Sequence, residues 1–113
     1  MTQTLDSFFA AMSDPTRRAV IERLAAGPAS VSELHAPHDM ALPTFMRHLK
    51  VLEGTGIVRS IKKGRVRTCH IDPEPLITAQ GWLAWQKEIW ENRLDGLEAL
   101  AQTIVEEEDG DTA

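Results

Sequence analysis

Lysine and arginine are concentrated in the middle of this 113-residue chain, where they could bind an anion. Residues 43–67 contain seven such cations and one acidic residue, Glu53, so this segment carries +6 although the whole chain carries −5. The seven cations are Arg47, Lys50, Arg59, Lys62, Lys63, Arg65 and Arg67. A basic segment in an otherwise acidic protein is typical of a localised surface for a polyanion, because the acidic remainder repels that partner elsewhere. The alternative interpretation is a solvated charged face.

Few other side chains could bind a metal or react. His35, His38 and Asp39 are close in sequence, but Pro37 separates the histidines and metal sites need three or four convergent ligands, so we predict an exposed turn. The single cysteine, Cys69, is predicted to be a buried strand residue, with a redox-sensing thiol as the alternative. The sequence has no nucleophile–base pair, metal tetrad or phosphate-binding glycine loop, so neither an enzyme nor a cofactor is predicted.

Length and composition favour one globular domain. The chain has a mass of 12.6 kDa, with 42% hydrophobic and 26% charged residues, as in an ordinary globular protein. No apolar run is long enough for a membrane span or a signal peptide, which predicts a cytoplasmic protein without a membrane partner. We expect a domain over residues 1–105 and an acidic flexible tail over residues 106–113.

Start signals predict three helices in the first third of the chain. Asp14 followed by Pro15 is an N-cap with a proline at the first helical position, and Gly27 ends the helix that they begin. Ser30 and Glu33 have the spacing of a capping box, which opens a short third helix. A first helix precedes both and has apolar residues at helical spacing, namely Leu5, Phe8, Phe9 and Met12.

The basic segment itself divides into a helix and a hairpin. A fourth helix is predicted over residues 42–55, with Arg47 and Lys50 on its solvent face. Its opposite, buried face consists of Phe45, Leu49 and Leu52. Two strands follow, over residues 57–62 and 65–71, and a two-residue turn at Lys63 and Gly64 joins them.

A long last helix is predicted over about residues 76–105. Its three tryptophans exceed what the core of a small domain absorbs, which predicts a surface between two subunits. Packing within one monomer and a hydrophobic ligand pocket between the last helices are the alternatives. The predicted interface residues on this helix are Trp82, Trp85, Ile89, Trp90, Leu94 and Leu97.

The order of elements, α-α-α-α-β-β-α, predicts a mainly α fold with a helix-turn-helix followed by a wing. The second helix of a helix-turn-helix enters the major groove of DNA, which places Thr44 and Arg47 near base edges and Lys50 near phosphate. His48 borders the packing face and either stabilises the helix-turn-helix or contacts phosphate. The wing adds four predicted DNA-binding cations, namely Lys62, Lys63, Arg65 and Arg67. Double-stranded DNA is therefore the predicted partner.

Several stretches resemble the ArsR (ArsR/SmtB) family of bacterial transcriptional regulators. They are residues 13–18, the block 48–53 with 56–58 behind it, and the wing turn 63–65, and the resemblance covers roughly residues 5–105. It implies a winged helix-turn-helix homodimer that represses by occupying an operator and dissociates on receiving a signal. It also implies dimerisation through the first and last helices, the first contributing Leu5, Phe8 and Phe9. Two-fold symmetry predicts an inverted-repeat operator.

The chain departs from the family pattern in several places. Members commonly have a small hydroxyl residue where this chain has Met46, and often a serine where it has Ala41. The family's thiolate metal site has no cysteine in residues 30–35, and its other metal site has no histidine in the last helix. We therefore predict a regulator without a metal site, and its signal is left open between a small-molecule effector and protein abundance. The alternative function is a winged-helix module that binds an acidic protein.

Overall fold

Five helices and three strands make up the computed structural model, which describes residues 2–111. In chain order they are α1 (Thr2–Met12), α2 (Pro15–Ala25), β1 (Ala29–Ser30), α3 (Val31–His35), α4 (Leu42–Gly54), β2 (Val58–Lys63), β3 (Val66–Ile71) and α5 (Glu74–Asp111). The chain divides into two compact units, Met1–Ala79 and Gln80–Ala113. The predicted mainly α, winged helix-turn-helix order is confirmed, with one additional strand.

The predicted starts of α2 and α3 are confirmed by their hydrogen bonds. The Asp14 carboxylate accepts from the Arg17 backbone N–H at 3.0 Å. At α3, Ser30 Oγ accepts from the Glu33 N–H at 3.1 Å, and Glu33 Oε1 accepts from the Ser30 N–H at 3.3 Å. Gly27 has a φ of 139°, which favours glycine at the end of α2.

Helix α4 begins without a side-chain cap. Its N-cap residue, Ala41, has an extended backbone with φ −63° and ψ 146°, and no side-chain atom bonds to the free N–H groups of the first turn. An N-cap hydroxyl normally satisfies one of those groups. Ala41 has no side-chain acceptor for this purpose, so a substitution that adds one should stabilise α4.

We expect Ala41→Ser to raise the free energy of unfolding by about 1 kcal/mol, because a serine hydroxyl at this extended position accepts from an N–H of the first turn. Urea unfolding followed by circular dichroism measures the change. Ala41→Val is the matched control, since valine adds bulk without an acceptor. Equal stability of the serine and valine variants would contradict the prediction.

The sheet is three-stranded and antiparallel, in the order β1-β3-β2. Lys63 pairs with Val66, so the two-residue turn is Gly64-Arg65 and the predicted turn at Lys63-Gly64 was wrong by one residue. Gly64 has a φ of 62°, which suits the first turn position of a type II′ hairpin, where glycine is preferred. Strand β1 was not predicted, because two residues show no alternation pattern.

The core of the first unit forms around α4. Phe45, Leu49 and Leu52 are each at most 1% exposed, which confirms the predicted buried face. Leu34 of α3 and Cys69 of β3 are buried in the same cluster. Apolar contact on one side of α4 thus leaves its other side in solvent.

Helix α5 is longer than predicted at both ends. The Asp72 carboxylate accepts from the Glu74 N–H at 3.1 Å and caps its start. At the other end, residues 106–111 are helical; the glutamates at positions 106–108 are good helix formers, and extending an existing helix is easier than starting one. The last two residues of the predicted tail lie outside the described residues. Within residues 2–111, no helix is both long and apolar enough to cross a membrane.

Candidate nucleic-acid interface

The solvent face of α4 carries the first group of predicted DNA-binding residues. Thr44, Arg47 and Lys50 are exposed, and none of their side chains makes a hydrogen bond or ion pair with another described residue. The predicted exposure of Arg47 and Lys50 is confirmed. Their donors and charges are available to a partner, whereas the opposite side of α4 is committed to the core.

The cations of the β2–β3 hairpin, which we call the wing, fall into two classes. Lys62, Lys63 and Arg65 are exposed and have no ion pair among residues 2–111. Arg67, in contrast, lies 4.0 Å from the Glu53 carboxylate at the end of α4. An exposed pair of this kind contributes at most about 1 kcal/mol, so Arg67 is a partly neutralised member of the predicted set.

Arg59 is the other neutralised cation of the basic segment. Its Nε lies 2.9 Å from the Asp72 carboxylate. The pKa of Asp72 is held below its ordinary value, first by the backbone N–H of Glu74 and then, against the effect of desolvation, by Arg59. Of the seven cations in residues 43–67, Arg59 and Arg67 therefore have an acidic partner. The other five have none among the described residues.

A cleft of about 410 Å³ connects the wing to the helix-turn-helix. Its lining residues are Ser30, Val31, Ser32, Met46, Lys62, Arg65, Val66 and Arg67. Three cations on one wall, without a lining carboxylate, concentrate a positive field in this concave space. Because Met46 belongs to α4, the wing cations lie beside that helix rather than on the far side of the unit.

His48 is directed into the helix-turn-helix. Its Nδ1 lies 3.2 Å from Arg17 Nη1 and 3.6 Å from the Asp14 carboxylate, and its side chain is 20% exposed. The pKa of Asp14 is lowered, first by the backbone N–H of Arg17 and, against desolvation, by the charge of Arg17. Of the two roles predicted for His48, these contacts support the stabilising one.

The histidines before α4 cover the core. His35 Nε2 is 2.7 Å from the Met40 carbonyl oxygen, to which it donates, and the rings of His35 and His38 lie 5.1 and 5.4 Å from that of Phe45. Asp39 is exposed, as predicted, but both histidines are half-buried, so the predicted exposure was wrong for them because their rings pack on Phe45. Among the described residues, no group of three or more His, Cys, Asp or Glu side chains could hold a metal ion.

Cys69 is fully buried in the central strand, which confirms its predicted placement. Burial raises the pKa of the thiol, and the nearby Glu53 raises it further, against the opposing charge of Arg67. Since the thiolate is the reactive form, this thiol is a poor nucleophile at neutral pH.

The residues predicted for dimerisation differ in exposure. In α1, Phe8 is 7% exposed and belongs to the core of its own chain, while Leu5 is half-buried and Phe9 is 39% exposed. Of the three residues predicted in this helix, Leu5 and Phe9 therefore present appreciable surface and Phe8 does not. In α5, Ile89 is half-buried. The remaining predicted residues of α5 are exposed, namely Trp82, Trp85, Trp90, Leu94 and Leu97.

Arg17 is the residue of this site that sequence reasoning missed. It lies within the stretch 13–18 that carries the family resemblance, but no periodicity or charge pattern distinguishes it from Arg18 beside it. Its contacts with α1 and α4 emerge from the fold alone.

Comparisons with known proteins indicate a helix-turn-helix transcriptional regulator. A family model described as a helix-turn-helix domain matches residues 12–61. The HTH-type transcriptional regulator Rv2034 of Mycobacterium tuberculosis is 36% identical over 104 residues, or 92% of either chain.

Solved structures extend the match to the fold. The crystal structure of the ArsR family transcriptional regulator RHA00566 has a TM-score of 0.78 and 54% identity, over 80% of this chain and 94% of that one. The homodimeric winged helix-turn-helix DNA-binding domain of Mb0332 from Mycobacterium bovis has a TM-score of 0.60 and 19% identity, over 82% and 83% of the two chains. At that identity, the latter likeness concerns the fold alone.

Proposed function

The chain belongs to the ArsR family of winged helix-turn-helix transcriptional regulators, and on that basis we propose that it is a homodimeric repressor of the cytoplasm that binds an inverted-repeat operator in double-stranded DNA. The observation that carries this proposal is the set of cations without a partner among residues 2–111. They occupy α4 and the wing and are Arg47, Lys50, Lys62, Lys63 and Arg65.

In this proposal, α4 is the recognition helix. Its first turns enter the major groove, where Thr44 and Arg47 meet base edges and Arg47 binds a guanine through O6 and N7. Lys50 contacts phosphate from the next turn of the helix. The wing reaches the neighbouring minor groove and supplies Lys62, Lys63 and Arg65.

Dimerisation is supported by the apolar side chains of α5. Trp90, Leu94 and Leu97 are each more than half exposed and recur at helical spacing. A contiguous apolar surface on a protein of this size is typical of an interaction site. We propose that a second copy covers it, together with Leu5 and Phe9 of α1, and that the dimer places two recognition helices about 34–36 Å apart. Operator occupancy then blocks transcription.

The test is titration of DNA from upstream of the protein's own gene, followed by fluorescence anisotropy over a range of salt concentrations and by footprinting. If Lys50 and the three wing cations of each subunit neutralise one phosphate apiece, log K falls with log salt with a slope of about −7. The footprint should show two symmetric half-sites one helical turn apart. Binding without sequence preference or salt dependence would overturn the proposal, and a stable acidic protein partner in its place would support the alternative function.

A further inference from the structure

The Arg17 side chain connects three helices. It belongs to α2, and its Nε donates to the Ala11 carbonyl at 2.7 Å while its Nη2 donates to the Ala10 carbonyl at 3.2 Å. These carbonyls lie in the last turn of α1, where helical carbonyls have no partner within the helix. The guanidinium thus caps α1.

The remaining guanidinium nitrogen reaches α4. Arg17 Nη1 lies 3.2 Å from His48 Nδ1. A guanidinium has donors and no acceptor, so Nδ1 accepts this hydrogen bond and the ring carries its proton on Nε2. The Asp14 carboxylate lies beside these two side chains, 3.6 Å from the same Nδ1.

We propose that Arg17 is a positioning residue for DNA binding, whose guanidinium fixes the rotation of α4 relative to α1 through His48. The inference rests on the proposed function above. His48 lies one residue after Arg47 and one helical turn after Thr44, so a rotation of α4 about its axis moves both side chains that are proposed to meet bases.

The apolar face of α4 does not supply this constraint by itself. Hydrophobic contact between α4 and the core is non-directional, so it selects the buried face of α4 but limits small rotations of the helix less sharply than a directional bond does. A hydrogen bond has a preferred direction. Among the described residues, His48 is the side chain of α4 that is hydrogen-bonded to another helix.

The expected effect on binding depends on the fraction of molecules in which α4 has the rotation that DNA binding requires. If loss of the Arg17–His48 bond lowers that population to about one tenth, the apparent Kd for operator rises about tenfold. The salt slope stays unchanged, because Arg17 contacts helix carbonyls and His48 rather than phosphate. Loss of a phosphate contact from each subunit would instead flatten the slope by about 1.8.

The experiment compares operator affinity, salt slope and thermal unfolding of the full chain with those of Arg17→Met. Arg18→Met is the matched control: Arg18 Nη1 donates to the Met12 carbonyl of α1 at 2.7 Å and has no described bond to α4. Both variants lose one charge and at least one cap of α1. With binding measured well below the unfolding temperature, we expect a roughly tenfold loss for Arg17→Met alone.

Variants of His48 keep the test decisive if Arg17→Met does not fold. His48→Leu breaks the link to α4 and leaves the caps of α1 in place, so we expect the same roughly tenfold loss. His48→Asn keeps an acceptor near the position of Nδ1 and should recover most of the affinity. Equal affinities of these two variants would overturn the inference, and so would a flattened salt slope.

Failure of the inference is distinct from failure of the proposed function. If the wild-type chain binds its operator and Arg17→Met binds equally well, Arg17 has a structural role only. If the wild-type chain binds no DNA, the proposed function itself is wrong and the positioning role is overturned with it.

Discussion

Replacement of Lys62, Lys63 and Arg65 by alanine is expected to flatten the salt dependence of operator binding by about 5 in the log–log slope, since a dimer then loses six phosphate contacts. At 0.15 M salt this corresponds to a loss of affinity of about four orders of magnitude. The reason is that these three side chains have no described counter-charge, so DNA is their main source of neutralisation. Fluorescence anisotropy with the footprinted operator measures both quantities.

The control for this prediction is the double variant Arg59→Ala, Arg67→Ala. Both arginines lie on the same hairpin, but Asp72 and Glu53 already neutralise them. We expect the slope to change by less than about 1 in this variant. If it flattens the slope as much as the wing substitutions do, the ion pairs open on DNA, and the division of the cations into free and paired would be contradicted.

Phe45→Ala is expected to lower the free energy of unfolding by about 3–5 kcal/mol, because it removes a buried aromatic side chain and leaves a cavity at the centre of the helix-turn-helix. Phe45 is 0% exposed, and the rings of His35 and His38 rest against it. Domains of this size have a total stability of about 5–15 kcal/mol, so the variant loses a large part of it. Urea unfolding measures the change.

Val51→Ala is the matched control on the same helix. Val51 is 42% exposed and lies outside the buried face of α4, so its truncation should change the free energy of unfolding by less than about 0.5 kcal/mol. A similar loss in both variants would mean that both faces of α4 are packed, which contradicts the exposed face required for DNA binding.

Local features of the fold were predictable from the sequence for physical reasons. The caps at Asp14 and Ser30 act over three residues, so their spacing in the sequence fixes where α2 and α3 begin. The buried face of α4 follows from helical periodicity, which Phe45, Leu49 and Leu52 display without any knowledge of neighbouring elements. Such features need no tertiary information.

The features that were missed depend on contacts distant in sequence. Strand β1 exists because Ala29 pairs with Cys69, forty positions along the chain, and two residues carry no strand signal of their own. Arg59 and Arg67 look like the other cations in the sequence, and only strand register and the positions of Asp72 and Glu53 distinguish them. The direction of His48 likewise depends on how α2 packs against α4.

The strand order β1-β3-β2 leaves β2 at a margin of the sheet, with unpaired backbone groups along one side. An edge strand can pair with strands of other molecules and so cause aggregation. Lysine on an edge strand is a common protection, because pairing two positively charged edge strands is unfavourable. Lys62 and Lys63 occupy this strand beside the exposed Ile61. The side chains proposed to hold the operator thus also protect the free protein from aggregation, and a variant that lacks them should be kept dilute.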